Sequence, residues 1–127
     1  MRPTPVHTDD EPAAIGPYSQ AMVAQGMVYC SGQIPMDPAS GELTGGDIRA
    51  QTDQALRNLK AVLLAAGSDV EHIVKCTVFL KSMDDFAAMN EVYAEHMGEA
   101  RPARAAVEVA RLPRDVDVEI DAIAVVP

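Results

Sequence analysis

The residues Ile73-Val74-Lys75-Cys76-Thr77-Val78-Phe79-Leu80 form an almost continuous apolar run with a single charge in it. The run suits a strand, and a strand that does not alternate polar with apolar positions is one covered on both faces. The surrounding chain must therefore supply a layer above this strand and a layer below it. It supplies helices for one layer only. Asp47 can cap a helix in which Ile48, Ala55, Leu56, Leu59, Val62, Leu63 and Ala66 recur at helical spacing, with Gly67 as the stop. Phe86, Met89, Tyr93 and Met97 mark one face of a second helix that ends at Gly98.

Two strands precede these elements, Tyr18 to Ala24 and Met27 to Ser31, with Gln25-Gly26 between them as a tight reversal. Two more come after them, Ala103 to Val109 and Val118 to Val126, joined by the polar turn Arg111-Leu112-Pro113-Arg114-Asp115. The order strand, strand, helix, strand, helix, strand, strand predicts an α+β fold: a mixed sheet with both helices on one face. The other face would present an apolar patch larger than monomers usually carry, which predicts a homo-oligomer whose subunits pack their sheets together and leave clefts between them. The stretch through Pro12, with three prolines and three acids, reads as a loosely tied extended arm, and Gln33 to Gly46 as a loop.

Residues 1–127 suffice for one domain with one core. Apolar residues make up 48% of the chain and aromatic residues only 4%, so the core is built from small side chains that gain less per residue, a second reason to expect self-association. The formal net charge of −9 and scattered Lys and Arg argue against nucleic acid as a partner. No leader-like segment and no run long enough to span a bilayer stands out, so the expectation is a cytoplasmic protein without a membrane partner. Cys30 and Cys76 belong to no CxxC pair and read as buried thiols.

Arg104 comes two residues after Pro102 and leads into Val107 and Val109, which places a guanidinium at the mouth of a strand. Its planar fork of donors matches a small carboxylate. Glu119 and Asp121 are acids inside the β-forming run Val118 to Val126. Asp121 can face solvent at an edge. For Glu119 two readings stand: a general acid or base sharing a cavity with Arg104, or an ion pair with it across neighbouring strands. Ser31 lies where a strand gives way to a loop beside Gly32, Tyr18 comes directly after Gly16-Pro17, and Asn90 sits within the second helix, each open between a structural role and a ligand contact. Gly41, Gly45 and Gly46 fit no phosphate-loop spacing, and His7, His72 and His96 fit no metal motif and read as surface residues. Lys75 is open between a desolvated amine and a strand lysine reaching solvent.

Four separated blocks in order, Ala14-Ile15-Gly16-Pro17-Tyr18-Ser19-Gln20, Ser31-Gly32-Gln33-Ile34-Pro35, Pro102-Ala103-Arg104 and Val107-Glu108-Val109-Ala110-Arg111-Leu112-Pro113, closely resemble the RidA family, also called YjgF or L-PSP. The resemblance implies a single chorismate-mutase-like domain assembled as a homotrimer with three clefts between subunits. It implies hydrolysis of reactive 2-imino acids and their enamine tautomers, such as 2-aminoacrylate and 2-iminopropanoate, to 2-oxo acids and ammonia. Such intermediates leak from pyridoxal-phosphate enzymes. By position, Arg104 would bind the substrate carboxylate and Glu119 would place or activate water. Tyr18, Ser31 and Asn90 would line the cleft, and the backbone at Gly32 and Ala106 would complete it. Many members carry cysteine where this chain has Ala106, so a thiol role there is excluded while a backbone role survives.

The implied chemistry requires neither metal nor cofactor. A protonated imine carbon is already electrophilic, so the protein has to hold a carboxylate, orient a water and manage one proton. Two further classes of function are compatible with the same residues. One is a non-catalytic trimeric binder or sensor of small 2-oxo acids acting through Arg104, and the other is a chaperone-like structural trimer that needs neither Arg104 nor Glu119.

Overall fold

A computed structural model describes residues 2–127. Six strands and two helices run in the order β1 (Thr4–Val6), β2 (Ala21–Ala24), β3 (Met27–Gln33), α1 (Ile48–Ala65), β4 (Ile73–Leu80), α2 (Phe86–Met97), β5 (Ala103–Glu108) and β6 (Val118–Val125). The strands form one sheet ordered β1-β2-β3-β6-β4-β5, in which only the β4–β5 pair is parallel. The expected α+β class with two helices is thus observed.

Local chemistry accounts for the elements. The β2–β3 hairpin turns at Gln25 and Gly26, with φ of 52° and 73°. Two successive left-handed residues match the twist of the flanking strands, and glycine adopts that conformation without a Cβ clash. Asp47 caps α1 by accepting from the Ala50 backbone amide at 3.0 Å. The buried face of α1 includes Ala55, Leu56, Leu59, Val62 and Leu63, packed against Val28, Val78, Leu80, Val118 and Ile120 from the sheet. Truncating a fully buried leucine such as Leu59 in this layer costs about 2–5 kcal/mol, because the helix cannot collapse onto the rigid strands behind it.

Three positions differ from the sequence expectations. The N-terminal arm is tied down: Thr4–Val6 pairs with Val23 to Ala21, and the side chain of Gln20 pins the segment from Thr8 to Pro12. Gln20 Oε1 accepts from the Thr8 amide at 2.7 Å, and its Nε2 donates to the carbonyls of Thr8 and Pro12 at 3.0 Å each. A single buried amide thus anchors the segment that follows β1. Asp121 does not sit at an edge, because β6 runs between β3 and β4; its Oδ1 accepts from the Thr77 amide at 3.1 Å. In the third, the apolar run of β4 alternates in burial. Cys76, Val78 and Leu80 face the helices and are buried, whereas Thr77 and Phe79 on the opposite face are half-buried and Lys75 is exposed. That opposite face also carries the exposed Tyr29, Val107 and Val125.

Candidate active site

Arg104 is the second residue of β5 and pairs with Cys76 of β4, so its side chain leaves the sheet on the helix face. There α2 receives it. Arg104 Nη1 donates to Asn90 Oδ1 at 2.7 Å, and the guanidinium carbon lies 4.8 Å from the ring centre of Tyr93 and 5.5 Å from that of Phe86. Phe86, Asn90 and Tyr93 are spaced i, i+4, i+7 and therefore share one stripe of the helix. Two aromatic faces and one amide oxygen hold the cation without neutralising it. Among the described residues no acidic side chain lies within 4 Å of Arg104. Its free edge opens on a groove of about 320 Å³ lined by Asn90, Tyr93, Met97, Arg101 and Arg104.

Glu119 belongs to the other face of the sheet. It pairs with Phe79, three residues beyond Cys76 along β4, and an odd spacing on a strand reverses the side chain. Its carboxylate lies over Gly32, where β3 breaks register between Cys30 and Gln33: a Cβ at Gly32 would stand 2.8 Å from Glu119 Cδ. Only glycine leaves that space, and a bulge next to a functional group is a common way of aiming it. Burial, with the charge of nearby Asp121 adding to it, lifts the Glu119 carboxyl above the ordinary range. Ser31, beside Gly32, donates its hydroxyl to the Ser19 carbonyl at 2.6 Å, so its oxygen lone pairs remain available as acceptors. Tyr18 is 55% exposed, which rules out a core role, and with Gly32 it lines a recess of about 70 Å³ under the N-terminal arm.

The candidate residues therefore form two groups within one chain. Arg104 and Asn90 stand together on the helix face, with Ala106 two residues along on the same side of β5 and half-buried. Tyr18, Ser31, Gly32 and Glu119 form the second group. Arg104 and Glu119 occupy opposite faces of strands that are not neighbours, so neither a shared cavity nor a cross-strand ion pair exists inside a single copy. Phe86 and Tyr93 went unrecognised as an aromatic seat because their spacing with Met89 and Met97 reads equally well as core. Glu11 was also missed. It is 4% exposed in the recess beside Tyr18, and one of its carboxylate oxygens lacks any partner.

The remaining candidates separate cleanly from these groups. A larger hollow of about 730 Å³, lined in part by Lys60, Asp69, Glu71 and His96, contains none of the site residues. His7 and His72 bond to Asp9 and Asp69; His96 is less exposed than expected and bonds to Asp53 at 2.8 Å. No group of three His, Cys, Asp or Glu able to hold a metal occurs among the described residues, and no described helix is long and apolar enough to cross a membrane. Cys30 and Cys76 are buried, and burial pushes their thiols up to about 12 and about 11, far from reactive thiolates.

Comparison with known proteins agrees along most of the chain. The model of the family described as Endoribonuclease L-PSP matches residues 8–126. A RutC family protein of Pyrococcus horikoshii is 56% identical over 119 residues, 94% of each chain. A 2-iminobutanoate/2-iminopropanoate deaminase of Capra hircus is 49% identical over 120 residues, 94% of this chain and 88% of that one. The crystal structure of E. coli TdcF with bound serine superposes with a TM-score of 0.91 at 45% identity, covering 96% of this chain and 98% of that one. Fold, motif blocks and alignment converge, and the chain belongs to the endoribonuclease L-PSP family, the RidA or YjgF group.

Proposed function

We propose that this protein hydrolyses small 2-imino acids and their enamine tautomers to 2-oxo acids and ammonia, in clefts completed between the subunits of a homotrimer. The observation that carries this reading is the division of the site residues into two groups on opposite sheet faces. A carboxylate anchor and a proton-handling group that cannot meet in one copy can meet across two. The exposed apolar positions Tyr29, Val107 and Val125 on the face away from the helices supply a surface for such an assembly.

In the proposed reaction the free edge of Arg104 takes the substrate carboxylate, and Asn90 with the Phe86 and Tyr93 rings keeps the fork in place. The iminium carbon is then presented to a water held by Glu119 of the adjoining subunit. Glu119 accepts a proton as water adds, giving a carbinolamine, and returns it to nitrogen as the C–N bond breaks; the remaining hydroxyl proton passes to the departing ammonia, so the products are the ketone and ammonium. Burial and Asp121 raise its proton affinity above that of an ordinary carboxylate, which favours its holding the proton between the two steps. The Ser31 oxygen accepts from the imine N–H, and the backbone at Gly32 and Ala106 closes the cleft. The two buried thiols fit a reducing cytosol.

A dehydratase that releases 2-aminoacrylate, coupled to ammonia detection, tests the reaction: the protein should accelerate ammonia release, and Arg104→Ala should not. Subunit mixing tests the cleft. Arg104→Ala and Glu119→Gln chains, inactive alone, should regain activity when unfolded and refolded together, since mixed trimers contain clefts with both wild-type residues. Absence of any regain would overturn the shared cleft. Capture without turnover is the second reading, favoured by the serine bound to E. coli TdcF; it predicts 2-oxobutyrate binding that depends on Arg104 in a protein silent in the coupled assay.

A further inference from the structure

The groove that receives Arg104 contains a second arginine. Arg101 lies three residues earlier, between the end of α2 and the start of β5, and lines the same space. Its Nη1 donates to the carbonyls of Gly98 at 2.7 Å and Ala100 at 2.8 Å. Those bonds use one nitrogen and fix the plane of the guanidinium, leaving Nη2 and Nε without protein acceptors. Arg104 is held in the same manner, through Nη1 alone.

Two guanidiniums beside one groove repel each other, and only neutral groups, carbonyls, an amide oxygen and aromatic faces, stand against them. Three arginines elsewhere pair with acids, Arg49 with Glu91, Arg57 with Asp53 and Arg111 with Asp115, whereas Arg114 donates to the Gly41 carbonyl. Arg101 and Arg104 have no acidic side chain within 4 Å among the described residues, although the chain carries a net charge of −9. A ligand with one carboxylate satisfies one fork and leaves the other unused. A ligand with two satisfies both, and the groove, at about 320 Å³, lies within the size range of small-molecule pockets. The lining also includes the apolar residues Ala94, Met97 and Pro102, which suits a short carbon chain linking two acidic ends.

We propose that Arg101 selects substrates with a second acidic group: the preferred imines are 2-imino dicarboxylic acids, with Arg104 on the 2-carboxylate and Arg101 on the side-chain carboxylate. This rests on the reading of Arg104 as the anchor for the 2-carboxylate. Arg101 is a specificity residue and takes no part in proton transfer.

The test compares iminosuccinate, generated in place by an aspartate oxidase, with 2-iminopropanoate, generated by an alanine oxidase, using wild type and Arg101→Ala. The expected result is a ratio of kcat/KM, dicarboxylate over monocarboxylate, that falls at least tenfold in the variant. If Arg101 merely caps α2, both substrates suffer together and the ratio stays put, which overturns the proposal. Should wild type hydrolyse neither imine, the deaminase reading fails separately, and calorimetry with oxaloacetate and pyruvate decides this one. Oxaloacetate should bind at least tenfold more tightly than pyruvate, with the difference lost in Arg101→Ala; equal affinities in wild type would sink it.

Discussion

The carboxylate of Glu119 occupies the space where a side chain at Gly32 would begin, with Glu119 Cδ 2.8 Å and Cγ 3.1 Å from the position of a Cβ. Gly32→Ala therefore has a specific consequence. The obstacle is the end of a flexible side chain, so the sheet can accept the methyl group by letting Glu119 swing aside. The variant should fold, with a Tm within a few degrees of wild type, while ammonia release from 2-aminoacrylate falls at least tenfold. Full activity in a folded Gly32→Ala protein would dissociate Glu119 from catalysis.

Arg104 should dominate ligand capture. Even one charged hydrogen bond contributes about 1.5–3 kcal/mol, so Arg104→Ala should weaken 2-oxobutyrate binding by at least roughly tenfold in calorimetry. Arg104→Lys should not restore it, because an ammonium presents neither the planar fork nor the flat face that rests on Tyr93 and Phe86. Asn90→Ala keeps the guanidinium and loses its guide, so its effect should be smaller, about 0.5–1.5 kcal/mol, and should act on the same step.

The acid at Glu119 is tuned in part by Asp121, and the sign of a change there is fixed. A negative neighbour disfavours a second negative charge, so replacing it with a neutral group lowers the proton affinity of Glu119. Asp121→Asn retains an oxygen for the Thr77 amide and removes the charge. The inflection assigned to Glu119 in the pH profile of kcat/KM should move to lower pH in this variant. A move upward, or none, would mean that the titrating group is not Glu119.

How much could be read from the chain alone depends on the range of the interactions involved. The helix from Asp47 to Gly67 was legible because its cap, periodicity and stop are local, and β4 was placed correctly because its apolar run has sharp ends. β1 was not legible: Thr4–Val6 is three residues beside prolines, and its pairing depends on the distant Gln20 and Val23. The candidates Tyr18, Ser31, Gly32 and Arg104 were recognisable within motif blocks. Their arrangement was not, since β6 inserts between β3 and β4 out of chain order. That order leaves β4 between Arg104 and Glu119, and the pairing of Arg104 with Cys76 and of Glu119 with Phe79 puts them on opposite faces, a relationship absent from any short stretch of sequence. Asp121 was misjudged for the same reason.

Glu11 gives a prediction for stability. Its side chain is enclosed beneath the N-terminal arm, one oxygen has no partner, and burial raises its carboxyl from 4.5 to about 7, with a hydrogen bond from Gln33 opposing the rise. Cys30 is the other titratable group that registers its charge. A folded-state value above the unfolded one means that the native protein binds the extra proton between these two values, so stability declines as pH rises from about 4.5 to about 7 and the loss is complete above that. At 1.36 kcal/mol per unit the penalty at pH 8 reaches at most roughly 3 kcal/mol. Glu11→Gln keeps the shape and cannot ionise. Compared at equal protein concentration, it should match wild type near pH 4 and exceed it in Tm by several degrees at pH 8, with the difference opening between those limits. Parallel stability curves for the two proteins would show that Glu11 is hydrated in the native state and that its position beneath the arm imposes no penalty.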